Sequence, residues 1–133
     1  MRVCCGLTNH LELAKRPDLY GGPVVVGEWE EHVIAASEEA SLFGVVPGMP
    51  LRQAEHLCPQ ATFLAPDHDA AANLRELISS ALYDLAPVVE VRVEGIAWLD
   101  VSGVVRPGDS IREARRRLRT AIGREPQIGR AHV

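Results

Sequence analysis

Residues 91–103, VRVEGIAWLDVSG, read as a buried β-strand with Gly95 and Ile96 near its centre. Glycine weakens a strand interior and marks a bulge or the close approach of something else, so chemistry is sought here first. Glu94 and Asp100 flank the pair. Other candidate chemistry is thinner. Cys4, Cys5 and Cys58 are odd in number and form no C-x-x-C pair, which argues against a disulfide framework or a zinc site. His10, His32, His56, His68 and His132 are scattered without metal-ligand spacing. Cys4 and Cys5, on a buried strand, read as small apolar fillers. Arg112, Arg115, Arg116 and Arg119 make a basic stripe at helical spacing, which could touch phosphates or form a solvated helix face. Trp29 and Trp98 could stack on bases, although Trp98 reads better as core.

These residues belong to an ordinary soluble chain. Its 133 residues suit one domain or a small pair, and the 47% hydrophobic and 24% charged content is that of a globular protein. No apolar run reaches the roughly 20 residues that span a bilayer, and the first residues lack a signal-peptide layout, so a cytoplasmic location is the default expectation. A net charge of −4 argues against a freestanding nucleic-acid binder. The charge is uneven, however. From residue 110 onward seven arginines face only Glu113 and Glu125, and the acidic excess lies before them. Such a split points to a piece of something larger, with a basic surface completed elsewhere.

The elements that must position these residues alternate between α and β. RVCCGL (2–7), PVVVG (23–27), HVIAAS (32–37) and ATFLA (61–65) read as strands, the middle two as an antiparallel pair. VVEVRV (88–93) and IAWLDV (96–101) are two more, joined at Glu94-Gly95 by a hairpin or a bulged bend. Residues 10–15 make one or two helical turns. Ser37 caps a short helix that Gly44 stops, and VVPGMP (45–50) is a turn. LRQAEHLC (51–58) is helical. Residues 66–87 form the longest helix, capped by Asp67 or Asp69; residues 109–123 form another, capped by Asp109 or Ser110 and stopped by Gly123. The fold class is α/β with a mixed or antiparallel sheet.

Three segments in order carry a resemblance. RPDLYGGPVVVG is similar to R-x-P-x-L-x-G-x-P-V-A-V-G. VIAASEEASLFGVVPGMPLRQAEHLCPQATFLAPD resembles a stretch running from A-A-S-Y-E-A-R through F-G-V-x-x-G-M-P to C-P and P-x-D landmarks. VEVRVEGIAWLDVSG resembles V-E-x-x-S-I-D-E-A-F-L-D-V-T-G. Together they resemble the Y-family DNA polymerases, the translesion class of UmuC, DinB and ImuB. The resemblance implies a palm over 1–19 and 66–126 with an inserted fingers subdomain over 20–65. Residues 127–133 add no recognisable element. IGRAHV also reads as an in-frame translation of a common sequencing adapter, so the tail is expected to be artefactual and the natural chain to continue past Pro126.

The resemblance also implies a site. The family clamps two Mg²⁺ ions between a first-strand Asp and the D-E of S-I-D-E. Counting without gaps, those positions fall on Val3, Gly95 and Ile96, and the second acid of the first strand falls on Cys5. None can bind Mg²⁺ through its side chain. Glu94 is one residue early and points to the other face unless a bulge re-aims it. The triphosphate-contacting Tyr and Arg fall on Glu38 and Ser41, and the sugar-screening aromatic falls on Thr8. Gly44, Gly48 and Met49 match the fingers loop beside the templating base and, with Arg112 and Arg116, are the candidate DNA contacts. The resemblance thus implies a catalytically silent, ImuB-like protein acting in DNA repair and translesion synthesis within the SOS response. It would need no cofactor, bind primer-template or damaged DNA at a bacterial nucleoid, and bridge a polymerase and a sliding clamp through regions outside this chain, with no membrane role. The alternative is an active translesion polymerase using Mg²⁺ through non-standard ligands.

Overall fold

The computed structural model describes residues 1–130. His132 and the last three residues of the tail lie outside the described residues. β1 (Arg2–Gly6), β5 (Val88–Arg92), β6 (Ile96–Asp100) and β7 (Gln127–Arg130) form an antiparallel sheet in the order β5-β6-β1-β7. Alternation along the strands sends Val3, Cys5, Val91, Ala97 and Leu99 to one face. α4 (His68–Leu82) and α5 (Pro107–Ile122) cover that face with Ile78, Leu82, Ala114, Leu118 and Ile122. The four-residue steps of the last three make α5 amphipathic.

The second layer is built between the two halves of the first. β2 (Val24–Gly27) pairs antiparallel with β3 (Val33–Ala36) and parallel with β4 (Thr62–Leu64), in the order β3-β2-β4. α2 (Glu38–Ser41) and α3 (Leu51–Leu57) close a small core of Val25, Val33, Ala40, Val45, Leu51, Ala54 and Cys58. α1 (Leu11–Ala14) joins the layers, with Leu13 packed on Val24, Val26 and Ala35. Beside it Glu12 is fully buried. Its Oε2 lies 2.9 Å from Lys15 Nζ and accepts from the Asp67 amide at 3.0 Å, which pins the start of α4 to α1.

The mixed α/β class with an antiparallel sheet is what the structure has. Four details differ from expectation. α4 has 15 residues and α5 has 16, so α4 is not the longest helix; Asp67 caps it by accepting from the Ala70 amide at 3.0 Å. α5 begins at Pro107, and neither Asp109 nor Ser110 caps it. Proline fits the first helical position because its fixed φ and missing N–H cost nothing there. Trp98 leaves the core: it is half-buried on the outer face of the sheet, with the Arg2 guanidinium 4.8 Å from its ring centroid. Finally, Gln127–Arg130 is a strand, because the free edge of β1 pairs with it.

Candidate functional site

The turn between β5 and β6 is a hairpin tip, with Gly95 at φ +85°. It meets the loop between β1 and α1. The Leu7 amide donates to the Gly95 carbonyl at 2.8 Å, and the Leu11 amide donates to the Val93 carbonyl at 2.9 Å. Asn9, on the same loop, donates its Nδ2 hydrogen to the Ala36 carbonyl at 3.2 Å, across to β3. First strand, hairpin tip and second layer therefore converge on residues 7–11.

The expected site positions do not all gather there. Gly95 and Ile96 do. Val3 and Cys5 do not: they pair in register with Leu99 and Ala97, and all four side chains point into the core under the helices. Ile96 lies on the opposite face, in register with Gly6. Residues directly opposite on neighbouring strands share a face. The first-strand position that shares the face and level of Ile96 is thus Gly6. Burial also pushes the Cys5 thiol up to about 12, so it is inert.

Divalent ions do not fit this corner. Gly6 and Gly95 bring no side chain and Ile96 brings an alkyl one. Among the described residues no group of three or more His, Cys, Asp or Glu could hold a metal ion. Glu94 is exposed in the turn. Asp100 lies at the far end of β6, about 13 Å along the strand from Ile96. There the Ser102 side chain and, at 3.0 Å, the Ser102 amide hydrogen-bond to it and hold its carboxyl below the usual range.

Glu38 and Ser41 are exposed on α2, which Ser37 caps by accepting from the Ala40 amide at 3.3 Å. Thr8 is half-buried on the loop opposite. Thr8, Asn9 and Glu38 line a cleft of about 240 Å³ between the layers, with Arg16 and Arg124 further along. These arginines are engaged. Arg16 makes a bidentate pair with Asp18 at 3.0 and 2.9 Å, and Arg124 lies 4.8 Å from the Tyr20 ring centroid. With Glu38 and Glu39 on the wall, a triphosphate would meet negative charge.

Gly44, Gly48 and Met49 lie on the loop between α2 and α3. Two hydrogen bonds fasten it to β3: Gly48 amide to Val33 carbonyl and Val33 amide to Met49 carbonyl, each 2.8 Å. Beside them Leu42, Phe43 and Val46 are 86%, 48% and 52% exposed, an apolar tip that sequence reasoning missed. Arg112 and Arg116 are exposed on α5, where Arg112 pairs with Asp109 and Arg116 with Glu113.

Known proteins share this fold. Residues 8–131 match the family described as "IMS: impB/mucB/samB family". A DNA polymerase IV of Dehalococcoides mccartyi is 38% identical over 121 residues, covering 89% of this chain and 31% of that protein. A DNA polymerase IV of Streptomyces coelicolor is 36% identical over 116 residues, covering 84% and 24%. The fold is that of DinB from Sulfolobus solfataricus, with a TM-score of 0.79 at 22% identity over 96% of this chain and 41% of that one. A structure titled as a Dbh ternary complex gives 0.81 at 22% identity, covering 96% and 40%. This chain spans about a third of the length of the curated relatives it matches. Within that span it belongs to the impB/mucB/samB family, the Y-family DNA polymerases.

Proposed function

We propose that this chain is the palm and fingers portion of an ImuB-like Y-family protein that holds primer-template DNA in translesion synthesis without joining nucleotides. One observation carries the proposal: the corner at the tip of β6 presents Gly6, Gly95 and Ile96, which supply no side-chain oxygen to Mg²⁺. Nucleotidyl transfer needs two ions to stabilise the attacking and leaving oxygens. Glu38, on the wall of the adjoining cleft, opposes triphosphate binding further. Binding to DNA would fall to the loop carrying Gly44, Gly48 and Met49. Contacts with an active polymerase and a sliding clamp would lie outside these residues.

The second reading is an active polymerase, favoured by relatives at 38% identity that bear the name DNA polymerase IV. Y-family polymerases normally use Mg²⁺. Primer extension by the whole protein with Mg²⁺ or Mn²⁺ separates the two: no incorporation is expected, and steady incorporation would establish the active reading. Fluorescence anisotropy on primed DNA across a salt series tests the rest. Salt-dependent binding is expected, and no binding at low salt would leave only a protein scaffold.

A further inference from the structure

We propose that the β5–β6 turn and the β1–α1 loop form a backbone clasp that fills the corner where the family keeps its metal ions. Restoring carboxylates would not return the corner to metal binding. The three positions around it differ in what they accept. A Cβ at Gly6 would meet the Gln127 carbonyl oxygen at 3.5 Å, an ordinary contact, so an aspartate fits there. Ile96 is half-buried on the outer face of the sheet, where a glutamate can reach solvent. Gly95 is closed. A Cβ there would lie 2.2 Å from the Thr8 carbonyl oxygen, 2.9 Å from its carbon and 3.1 Å from the His10 nitrogen. All three are backbone atoms, so no rotamer change relieves the overlap. Its φ of +85° is also a conformation that side chains with a Cβ resist.

The clasp has a second effect. The amides of Leu7 and Leu11 end on the Gly95 and Val93 carbonyls, and between them Asn9 reaches the Ala36 carbonyl of β3. The closed corner therefore also steadies the loop that ties the inserted layer to the main sheet. Any side chain at position 95 pushes on the residues that carry this tie.

Thermal unfolding of Gly95→Ala, Gly95→Asp, Gly6→Asp, Ile96→Glu and the Gly6→Asp/Gly95→Asp/Ile96→Glu combination tests the clasp, with and without Mn²⁺. The two Gly95 variants are expected to melt about 8 °C or more below the unmodified chain, and Gly6→Asp and Ile96→Glu within about 3 °C of it. Mn²⁺ should leave the triple variant's midpoint where it is. In the unmodified chain the Leu7 and Leu11 amides should exchange at least about 100-fold more slowly than exposed loop amides. A Gly95→Asp variant as stable as Ile96→Glu, a Mn²⁺-raised midpoint in the triple variant, or loop-like exchange at Leu7 and Leu11 would each overturn the clasp. If the Gly95 variants do not fold, the exchange measurement decides alone. Polymerase activity in the unmodified whole protein would overturn the proposed function and leave the clasp standing.

Discussion

His10 shows how one side chain can hold a junction. Its Nδ1 accepts from the Glu12 amide at 3.0 Å and so caps α1. That bond needs an unprotonated nitrogen, and burial already holds the imidazole below its ordinary value of 6.5, against the opposing pull of Glu12 and Glu94. The folded chain therefore binds this proton less readily than the unfolded one. Its contribution is complete above pH 6.5 and is lost as pH falls from there through the depressed folded value. Urea unfolding should show stability from this residue falling between pH 7 and pH 5, by at most about 1 kcal/mol, the scale of one cap. His10→Asn, which caps without titrating, should flatten that part of the slope; an unchanged slope would place its origin elsewhere. The same neighbourhood shows where sequence stops short. Gly95 and Ile96 meet the loop at residues 7–11 while Val3 and Cys5 turn into the core, and only the pairing of β1 with β6 fixes which face each side chain takes.

At the scale of elements, α5 is tied mostly to its own acids. Glu113, held down to about 2 by Arg116 and Arg117, ties the middle of the helix to itself. Arg117 also reaches Asp84 and the Ala81 carbonyl, each at 2.7 Å, which binds α5 to α4. Arg115 and Arg119 both reach Glu125. A stripe that is basic in sequence is thus largely neutralised in place, and such exposed pairs are screened and weak. Arg116→Ala should change affinity for primed DNA by no more than about twofold, with the salt slope unaltered. Arg117→Ala should melt lower than Arg116→Ala because it alone breaks a tie to another helix. A loss of one phosphate's worth of salt slope on Arg116→Ala would return α5 to the DNA interface. The helices and β2, β3, β5 and β6 were legible because their apolar periods are clean. β7 was not, since Gln127-Ile128-Gly129-Arg130 has a single large apolar residue and is a strand only because β1 offers it an edge. The apolar tip at Leu42, Phe43 and Val46 was hidden for a related reason: a sequence shows which residues are apolar but not which find cover.

For the whole molecule, the consequence lies in the order of the chain. The three strands of the inserted layer all come from residues 24–64, so it can close soon after they are made. β1 waits much longer. Its partners are β6, which begins at Ile96, and β7, which begins at Gln127. A growing chain thus carries β1 unpaired on both edges while a later segment finishes folding. Contacts distant in sequence form slowly, and open strands invite association with other chains. In pulse-labelled refolding, the amides of β2 and β3 should gain protection before those of β1. Simultaneous protection would mean that the two layers fold as one. A strand made before the inserted layer would be sheltered after it, and during that interval the nascent chain is most exposed to aggregation.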